Sequence, residues 1–569
     1  MNVLITICTP LFRSLTYASI LTITQTSFLR AQSVENSIDQ LLKPYDRSDA
    51  PGLAVGVVSQ GDTLYAKGWG MGDLEHNVSI TPNSVFDIAS VSKQFAGLAI
   101  AILESQGKIS LNDPINKHVA GLPNVFEQVE LRHLVYHISG IRDWPGALVL
   151  GGRRFDDVIS FHDTLAMARR QEALSFPPGE IYSYSNTGYN LLARTVETVS
   201  GDNFADWISD HIFDPLEMNH SHFQDDLGTL ITNRVRSYQG SHDGPYSNVG
   251  NQLMALGSSS MYSTVHDLLK WMAHFDQPNI TDASIIKKTM TPGLLNNGKS
   301  SGYAYGLGMG NYKGTKRVSH SGGWAGFRTY LLYLPEFKLG VVVLSNWSGM
   351  NPSSIAYKTA NIVLGEKLSD NPRTPIEALQ TNDEKLTADS NTEWKKWAGV
   401  YTVDEENGVQ LNLYERNSKP WITLPDGTGV KLESKNLNQL FNVRQSLKLT
   451  GSSGVNGWPR SLHIQSPQWT GIAKEAISLV KDESRLSDYT GVYYSTELLT
   501  EYCIQFDGNT LKAIHHRHDP VTLEPFAKDR FTSNVWYWSK IDFDRNKLDQ
   551  VTGLRVTQGR NRNMVFRKQ

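Results

Sequence analysis

Apolar and polar positions alternate in GLAVGVVSQGDTLYAKGWGMGD, which occupies residues 52–73. A period of two residues is typical of a strand with one buried face, and the central Gly-Asp pair predicts a hairpin turn. The stretch TYLLYLPEFKLGVVVLSN, residues 329–346, predicts two further strands joined by a Pro-Glu-Phe-Lys turn. Strand-forming segments therefore lie near both ends of the N-terminal part of the chain.

Between these strands the apolar spacing changes to that of helices. SVSKQFAGLAIAILESQG, residues 90–107, predicts a helix that ends at a C-cap glycine, and SNTGYNLLARTVETVSG, residues 185–201, predicts another. Strands at both ends with helices between them indicate an α+β domain with an antiparallel sheet flanked by helices. We place this domain at residues 34–368.

The pattern changes again after this domain. Residues 369–392 are polar and contain two prolines, which predicts a linker, and short alternating runs follow. This last region contains an internal repeat, in which WAGVY, VKLE and LHIQ recur as YTGVY, VTLE and LRVT at nearly constant offset. The repeat predicts two small all-β domains, residues 393–481 and 485–569, each a barrel or a sandwich.

Composition excludes several classes of protein. The 569 residues are 40% apolar and 20% charged with a formal net charge of −3, so nothing indicates a nucleic-acid-binding protein. Two cysteines, Cys8 and Cys503, are too few for a disulfide framework or a multi-cysteine zinc site. We expect a small-molecule substrate and no cofactor; the oligomeric state is left open.

Residues 1–33 resemble an export signal. Arg13 could close an n-region, an apolar to weakly polar stretch follows, and Ala31-Gln32-Ser33 offers small residues at a cleavage position. A short membrane anchor is the alternative, although several Thr and Ser interrupt the segment. We expect export to the periplasm or the extracellular space, with no stable membrane span after signal cleavage.

A Ser-x-x-Lys motif, Ser90 to Lys93, is the first candidate for catalysis. In the first turn of a helix, free N–H groups and the macrodipole favour negative charge developing on Ser90. Lys93 lies one turn further on the same face and can share the seryl proton if burial lowers its pKa. The motif alone is weak, because it recurs at Ser284 and Ser478, and a capping serine with a solvated lysine also fits it.

The triplet Tyr184-Ser185-Asn186 is the second candidate, on a short loop that leads into a predicted helix. A tyrosinate can act as general base on the serine and later protonate the leaving group, and the amide of Asn186 can hold the lysine and a substrate amide. The pattern recurs at residues 246–248 without a following helix. We prefer Tyr184, because a loop-to-helix junction positions a side chain more rigidly.

His320-Ser321-Gly322-Gly323 is the third candidate. A histidine on an edge strand facing a cleft can hydrogen-bond the substrate, and Gly322 and Gly323 let the substrate backbone approach closely. The N–H groups of Gly323 and Ser90 could together form an oxyanion hole. A tight turn with a surface histidine is the alternative for this motif taken alone.

In this order, the three motifs resemble those of the serine β-lactamase and penicillin-binding-protein superfamily, in the branch of class C β-lactamases, D-aminopeptidases and related esterases. The resemblance covers roughly residues 40–350 and includes LRHLVYHISGIRDW and SMYSTVHDLLKW. It implies a β-lactamase-like domain with a helical subdomain, and lipocalin-like barrels for the two β-domains. It further implies the following roles: Ser90 as acylated nucleophile, Lys93 and Tyr184 as the proton-handling pair, and Asn186, His320, Gly322 and Gly323 as substrate-binding residues.

One departure from the family pattern affects the expected substrate. β-Lactamases and D,D-peptidases usually carry a lysine where His320 stands, and that lysine attracts a substrate carboxylate. Histidine is mostly neutral at pH 7, so a carboxylate-bearing β-lactam is held less firmly unless Arg328 compensates. We expect an exported serine hydrolase that acts through an acyl-enzyme on peptide, amide or ester substrates. The alternatives are a penicillin-binding sensor or pseudoenzyme that acylates without turnover, and a binding protein that acts through its β-domains.

Three other patterns rank lower. Gly298–Gly302 fits the Gly-x-Ser-x-Gly elbow but lies in a loop-like stretch. His515–Asp519 falls at a predicted hairpin, where we expect a polar turn and no metal. His137 is interpreted as a structural loop residue rather than a base.

Overall fold

The computed structural model describes residues 32–368 and 483–569 without interruption, and residues 393–475 with gaps. The gaps are 405–408, 417, 424–428, 437–438, 443–446, 453–460 and 466–469. Residues 1–31 of the predicted signal, the predicted linker and the motif at Ser478 lie outside the described residues. Within the described part of the chain, no helix combines the length and the apolar character needed to cross a bilayer.

The helices have these bounds: α1 (32–42), α2 (Lys93–Ser105), α3 (Leu131–Val135), α4 (Trp144–Leu150), α5 (Phe161–Arg169), α6 (Asn186–Ser200), α7 (Phe204–Ile208), α8 (Val265–Asp276), α9 (Ala283–Thr289) and α10 (Pro352–Leu364). The strands of the N-terminal part are β1 (Leu53–Ser59), β2 (Asp62–Trp69), β3 (Met71–Asp73), β4 (Val78–Ser79), β5 (Phe86–Asp87), β6 (His222–Phe223), β7 (Tyr238–Gly240), β8 (Tyr246–Asn248), β9 (Met261–Ser263), β10 (Gly308–Tyr312), β11 (Thr315–Trp324), β12 (Phe327–Leu334) and β13 (Leu339–Ser345).

The C-terminal part contains strands only, apart from short 3-10 turns, among its described residues. Their bounds are β14 (Gly399–Asp404), β15 (Val409–Arg416), β16 (Lys419–Thr423), β17 (Gly429–Lys431), β18 (Glu433–Asn436), β19 (Gln439–Asn442), β20 (Leu447–Ser452), β21 (Ser461–Gln465), β22 (Thr470–Glu475), β23 (Gly491–Ser495), β24 (Thr500–Phe506), β25 (Leu511–His515), β26 (His518–Ala527), β27 (Arg530–Thr532), β28 (Lys540–Arg545), β29 (Val551–Gln558) and β30 (Asn561–Lys568).

The chain divides into two compact units. Of the described residues, the first comprises 32–113, 158–161 and 189–368, and the second comprises 114–157, 162–188 and those from 393 onward. Helices α3 and α4 therefore group with the C-terminal strands. The domain boundaries that we place from the sequence stay predictions.

The first unit is built on a six-stranded antiparallel sheet in the order β10-β11-β12-β13-β1-β2. Strands β1 and β13 are neighbouring interior strands and are buried along almost their whole length, which explains their continuous apolar runs. Apolar side chains of α10 pack on one face. Helix α8 covers the other, where a Cβ on Gly56 would lie 2.4 Å from Val265 Cγ1. The predicted antiparallel sheet flanked by helices is confirmed.

The β1–β2 hairpin forms as predicted, but its turn lies one residue earlier than the Gly-Asp pair. Gln60 and Gly61 occupy the two central positions with φ of 56° and 93°, as a type I′ turn requires. The 3-10 turn Pro335–Phe337 joins β12 to β13. Helices α2 and α6 are followed by Gly107 and Gly201, with φ of 68° and 86°.

The second unit contains the predicted all-β region. Strands β14–β22 form a nine-stranded sheet, and β23–β30 close into a barrel. Aromatic side chains fill the barrel: the ring centroid of buried Tyr502 lies 4.8 Å from that of Trp538 and 5.9 Å from that of Phe566. The expected barrel is confirmed for the C-terminal domain, and the domain before it is a single large sheet.

Candidate active site

The candidate nucleophile lies at the junction between a 3-10 turn and a helix. Ser90 belongs to the turn Ala89–Ser92, which we call the nucleophile turn, and α2 begins at Lys93. Ser90 therefore precedes the α-helix instead of lying in its first turn. Lys93 Nζ nevertheless donates a hydrogen bond to Ser90 Oγ at 3.2 Å, so the structure brings the two residues together.

Lys93 is fully buried, and its surroundings fix the position of the amino group. Besides Ser90, Nζ donates to the C=O of Ser258 at 2.6 Å, and it lies 5.8 Å from the ring centroid of Tyr189. Asn190 in turn donates to Ser258 Oγ at 3.0 Å. Ser258 is thus a positioning residue that holds Nζ against the Ser90 hydroxyl.

A buried carboxyl group three residues before Ser90 supports the same turn. Asp87 accepts the N–H of Ala89 at 2.7 Å and an N–H of the Asn251 amide at 2.6 Å. Complete burial raises the pKa of Asp87 to about 6, against the effect of these two hydrogen bonds. Asn251 also accepts the indole N–H of Trp324 at 3.0 Å. The network ties the nucleophile turn to β11.

His320 lies on β11 as predicted, but it is buried and already hydrogen-bonded. Its Nδ1 lies 2.7 Å from the C=O of Ser321, which can only accept. Nδ1 therefore donates, and Nε2 accepts the O–H of Tyr303 at 2.8 Å. Burial, and then the charge of Lys93, lower the pKa of His320 to about 3. The imidazole is neutral near pH 7.

Strand β11 is an edge strand only in its second half, which is the half that contains His320. Strand β10 pairs with residues 315–319 of β11, and residues 320–324 extend beyond it. In that extension a Cβ on Gly322 would lie 2.2 Å from the C=O oxygen of Ile88, so only glycine fits. Thr329 Oγ1 donates to the same oxygen at 2.9 Å. Gly322 thus lets β11 pack against the segment that leads into the nucleophile turn.

In the second unit, Tyr184 and Asn186 lie where the chain enters α6, in what we call the tyrosine loop (residues 184–186). The backbone N–H and the side-chain amide of Asn186 both donate to Asp143 Oδ1, at 2.7 and 3.0 Å. The ring centroids of Tyr184 and His137 lie 4.1 Å apart, and His137 Nδ1 accepts the N–H of Ser185 at 3.1 Å. His137 therefore has the structural role that its loop position predicts.

Four residues that sequence reasoning missed hold the predicted site residues: Asp87, Asp143, Ser258 and Tyr303. Asp143 alone has a signal in the sequence, because it precedes Trp-Pro at the start of α4, where a capping aspartate is common. Its carboxylate binds Asn186 instead of capping the helix. Ser258 and Tyr303 contact residues that are not their neighbours in sequence, and the effect of Asp87 depends on its burial.

The competing motifs differ in structure from the predicted site. Ser284 is exposed on α9, Tyr246 begins the short strand β8, and residues 298–302 form no strand-to-helix elbow. His515 ends β25 and His518 begins β26, so the histidine cluster forms the predicted hairpin turn.

A sequence model of the Beta-lactamase family matches residues 36–364. The chain belongs to this family. It is 23% identical over 527 residues to a D-aminopeptidase of Brucella anthropi, a match that spans 89% of this chain and 93% of that protein. It is 29% identical over 369 residues to penicillin-binding protein 4* of Bacillus subtilis (strain 168), spanning 62% of this chain and 79% of that protein.

A solved structure of similar fold is the octameric penicillin-binding protein homologue from Pyrococcus abyssi. It is 25% identical, with a TM-score of 0.54, over 77% of this chain and 99% of that one. The matches confirm the superfamily that the three motifs indicate and its α+β fold. This member of the Beta-lactamase family is a serine hydrolase.

Proposed function

We propose that this protein is an exported hydrolase that cleaves peptide, amide or ester bonds through an acyl-enzyme on Ser90. The observation that carries the proposal is the 3.2 Å hydrogen bond between Ser90 Oγ and Nζ of the fully buried Lys93. A serine hydroxyl becomes an effective nucleophile when a neighbouring base takes its proton. The D-aminopeptidase and penicillin-binding-protein relatives support a peptide-like substrate.

Acylation proceeds by attack of Ser90 Oγ on the substrate carbonyl carbon. The hydroxyl proton passes to the pair formed by Lys93 and Tyr184, and the N–H groups of Ser90 and Gly323 stabilise the oxyanion. When the tetrahedral intermediate collapses, the bond to the leaving nitrogen or oxygen breaks. The leaving group takes the proton back from the pair, and Ser90 is left as an ester.

Deacylation repeats the sequence with water as the nucleophile. Water gives one proton to the same pair and attacks the ester carbonyl. Collapse returns that proton to Ser90 Oγ and releases the acid product. The overall reaction consumes one water and needs no cofactor.

Because His320 is neutral, it favours substrates whose binding does not require a cation on β11 to attract a substrate carboxylate. With a pKa of about 3, its ring offers no positive charge at neutral pH. Arg328, the alternative cation, donates to the C=O groups of Ala325 and Phe327. We therefore favour D-amino-acid amides, peptides and esters over β-lactams.

A ligand-carrying role for the C-terminal barrel has less support. The buried rings of Tyr502, Trp538 and Phe566 occupy the interior in which a barrel of eight strands would hold a small ligand. The barrel therefore does not support the binding-protein alternative, and the hydrolase remains the favoured function.

The test is intact-mass analysis of the protein after brief incubation with a p-nitrophenyl ester and, separately, with a penicillin. The matched pair of variants is Ser90→Ala and Ser284→Ala, because Ser284 carries the same motif on an exposed helix. We expect an acyl adduct or ester turnover in wild type and in the Ser284 variant, its loss in the Ser90 variant, and faster reaction with the ester than with the penicillin.

Two results would contradict the proposal. An adduct that persists in Ser90→Ala would place the nucleophile elsewhere. A folded wild type that neither forms an adduct nor turns over the ester would remove the hydrolase assignment of this site. An adduct that accumulates with penicillin and is not released would favour the sensor alternative.

A further inference from the structure

The last hairpin of the C-terminal barrel holds the aspartate that anchors the tyrosine loop. Gly559 and Arg560 turn the chain between β29 and β30, and we call this turn together with Asn561, the first residue of β30, the β29–β30 turn. Asn561 Oδ1 accepts the backbone N–H of Asp143 at 2.6 Å, and Asn561 Nδ2 donates to the Asp143 C=O at 2.9 Å. Arg560 Nη1 donates to Asp143 Oδ2 at 2.8 Å. One turn of the barrel thus binds both the backbone and the side chain of Asp143.

The Asp143 carboxylate is shared between the barrel and the tyrosine loop. Oδ2 accepts from Arg560, while Oδ1 accepts both N–H groups of Asn186. Only 6% of the Asp143 side chain is exposed, so water offers little competition for these bonds. Because a carboxylate is rigid and planar, fixing one oxygen from the barrel fixes the direction from which the other binds Asn186.

Arg560 also contacts the phenol of Tyr184 directly. Its guanidinium carbon lies 4.6 Å from the centre of the Tyr184 ring, within the range of a cation–π interaction. His137 lies against the same ring. The phenol ring is therefore flanked by the imidazole of His137 and by the guanidinium of Arg560.

A buried ion pair attaches the barrel next to this contact. Arg142 Nε donates to Glu497 Oε1 at 2.8 Å, and only 1% and 2% of the two side chains are exposed. Arg142 also donates to the backbone C=O of Arg562 in β30. Residues 142 and 143 are therefore both held by the barrel, and this geometry does not depend on one bond.

We propose that the β29–β30 turn supports the catalytic role proposed for the tyrosine loop, and that Arg560 positions the Tyr184 phenol and the Asp143–Asn186 pair for acyl transfer. This inference rests on the proposed function. Arg560 is a positioning residue, because its described contacts are with Tyr184 and Asp143 and not with the reacting atoms. The barrel thereby takes part in catalysis without binding a ligand of its own.

The experiment compares three variants of the full-length protein with wild type in steady-state hydrolysis of the p-nitrophenyl ester. Arg560→Met removes the charge and the hydrogen bonds, and Arg560→Lys keeps the charge. Arg562→Met is the matched control: it removes an arginine of the same hairpin whose side chain lies over Phe176 and whose backbone alone binds Arg142.

We expect Arg560→Met to lower kcat by about 10- to 100-fold with little change in KM, as displacement of catalytic groups does. Arg560→Lys should recover most of kcat, because a lysine can still pair with Asp143 and approach the Tyr184 ring. Arg562→Met should match wild type. Thermal unfolding of each variant verifies that it is folded at the assay temperature.

The inference is wrong if Arg560→Met keeps wild-type kcat, if the two Met variants lose activity equally, or if lysine gives no rescue. If Arg560→Met does not fold, Arg560→Gln replaces it, and a Gln variant with full kcat overturns the inference. Failure of the proposed function looks different: the wild type then shows no turnover that Ser90→Ala abolishes, and the Arg560 variants have no activity to compare.

Discussion

The nucleophile turn and the tyrosine loop are held in place by different kinds of interaction. In the first unit, α2 and β11 pack around the turn, and Lys93 donates to a neutral backbone carbonyl, that of Ser258. In the second unit, the loop depends on Asp143, whose partners in the β29–β30 turn lie 417 and 418 positions further along the chain. One region is built by packing and the other by charge.

This difference predicts how each region fails. A side-chain substitution does not remove a contact that is made by a backbone carbonyl or by a packed glycine. Substitution of either member of a buried ion pair, in contrast, leaves an uncompensated charge. In the first unit, activity can therefore be removed without loss of stability. In the second unit, changes at the barrel contact should lower both together.

The largest effect is expected from Lys93→Met. Loss of the amino group should lower kcat by about 10³-fold, which is within the range for removal of a general base. Methionine removes the cost of burying the amino group but leaves the buried C=O of Ser258 without this donor, so thermal stability should change little. Steady-state kinetics and thermal unfolding measure the two quantities. Lys287→Met, in the exposed copy of the motif, is the control and should change neither; a large loss of stability in Lys93→Met would contradict the comparison.

The next effect is expected from Glu497→Ala. It leaves Arg142 buried without its carboxylate, which should cost about 3–5 kcal/mol of the free energy of unfolding and should also lower kcat. Denaturant unfolding and ester hydrolysis are the measurements. Glu501→Ala, an exposed position on the neighbouring strand β24, is the control.

The double change of Arg142→Met and Glu497→Leu sharpens this result. It removes both charges, so stability should return most of the way towards wild type. If Glu497→Ala is as stable as the Glu501 control, the second unit is not held by charge in the way that we describe.

A smaller effect concerns the pH dependence of stability. The folded pKa of Asp87, about 6, exceeds its ordinary value of 3.8, so the folded state binds the proton more tightly than the unfolded state. Protonated Asp87 therefore contributes about 3 kcal/mol to the free energy of unfolding. This contribution is complete below pH 3.8 and is lost as the pH rises through 6. His320, whose pKa is lowered, contributes with the opposite sign, so the variant must be compared with wild type.

Asp87→Asn should remove this loss of stability between pH 4 and pH 7, as thermal unfolding over that range would show. Asp62→Asn, at an exposed position of β2, is the control and should follow the wild-type profile. A profile for Asp87→Asn that runs parallel to wild type would mean that Asp87 is already ionised at pH 4.

The smallest effect is expected from Tyr303→Phe. It removes the hydroxyl that donates to His320 Nε2 and leaves a buried acceptor, which should cost about 1–3 kcal/mol. Thermal unfolding measures the loss. Tyr494→Phe, on the barrel strand β23, should be neutral, and equal stability of both variants would show that His320 finds another donor.

Local patterns in the sequence were enough to predict much of the fold. The hairpin of β1 and β2, the glycines after α2 and α6 and the turn between β12 and β13 are all decided by residues close in sequence. Ser90 and Lys93 come together for the same reason, because they are three residues apart and straddle the start of one helix.

The missed features depend on residues that are distant in sequence. Ser258 meets Lys93 across 165 positions and Asp143 meets Asn561 across 418, and no spacing rule connects them. The neutral state of His320 follows from its burial and from the charge of Lys93, neither of which a strand pattern reveals.

The anchoring of Asp143 also sets a time at which the enzyme can be completed. A ribosome adds about 5–20 residues per second, so Asn561 is made roughly 20 to 80 s after Asp143, given the 418 positions between them. During that interval the tyrosine loop has its own residues but not its anchor. With the role that we propose for the tyrosine loop, a nascent chain that carries every residue of the Beta-lactamase family motifs still lacks the anchor of that loop. We therefore expect hydrolysis only after the barrel hairpin has been made.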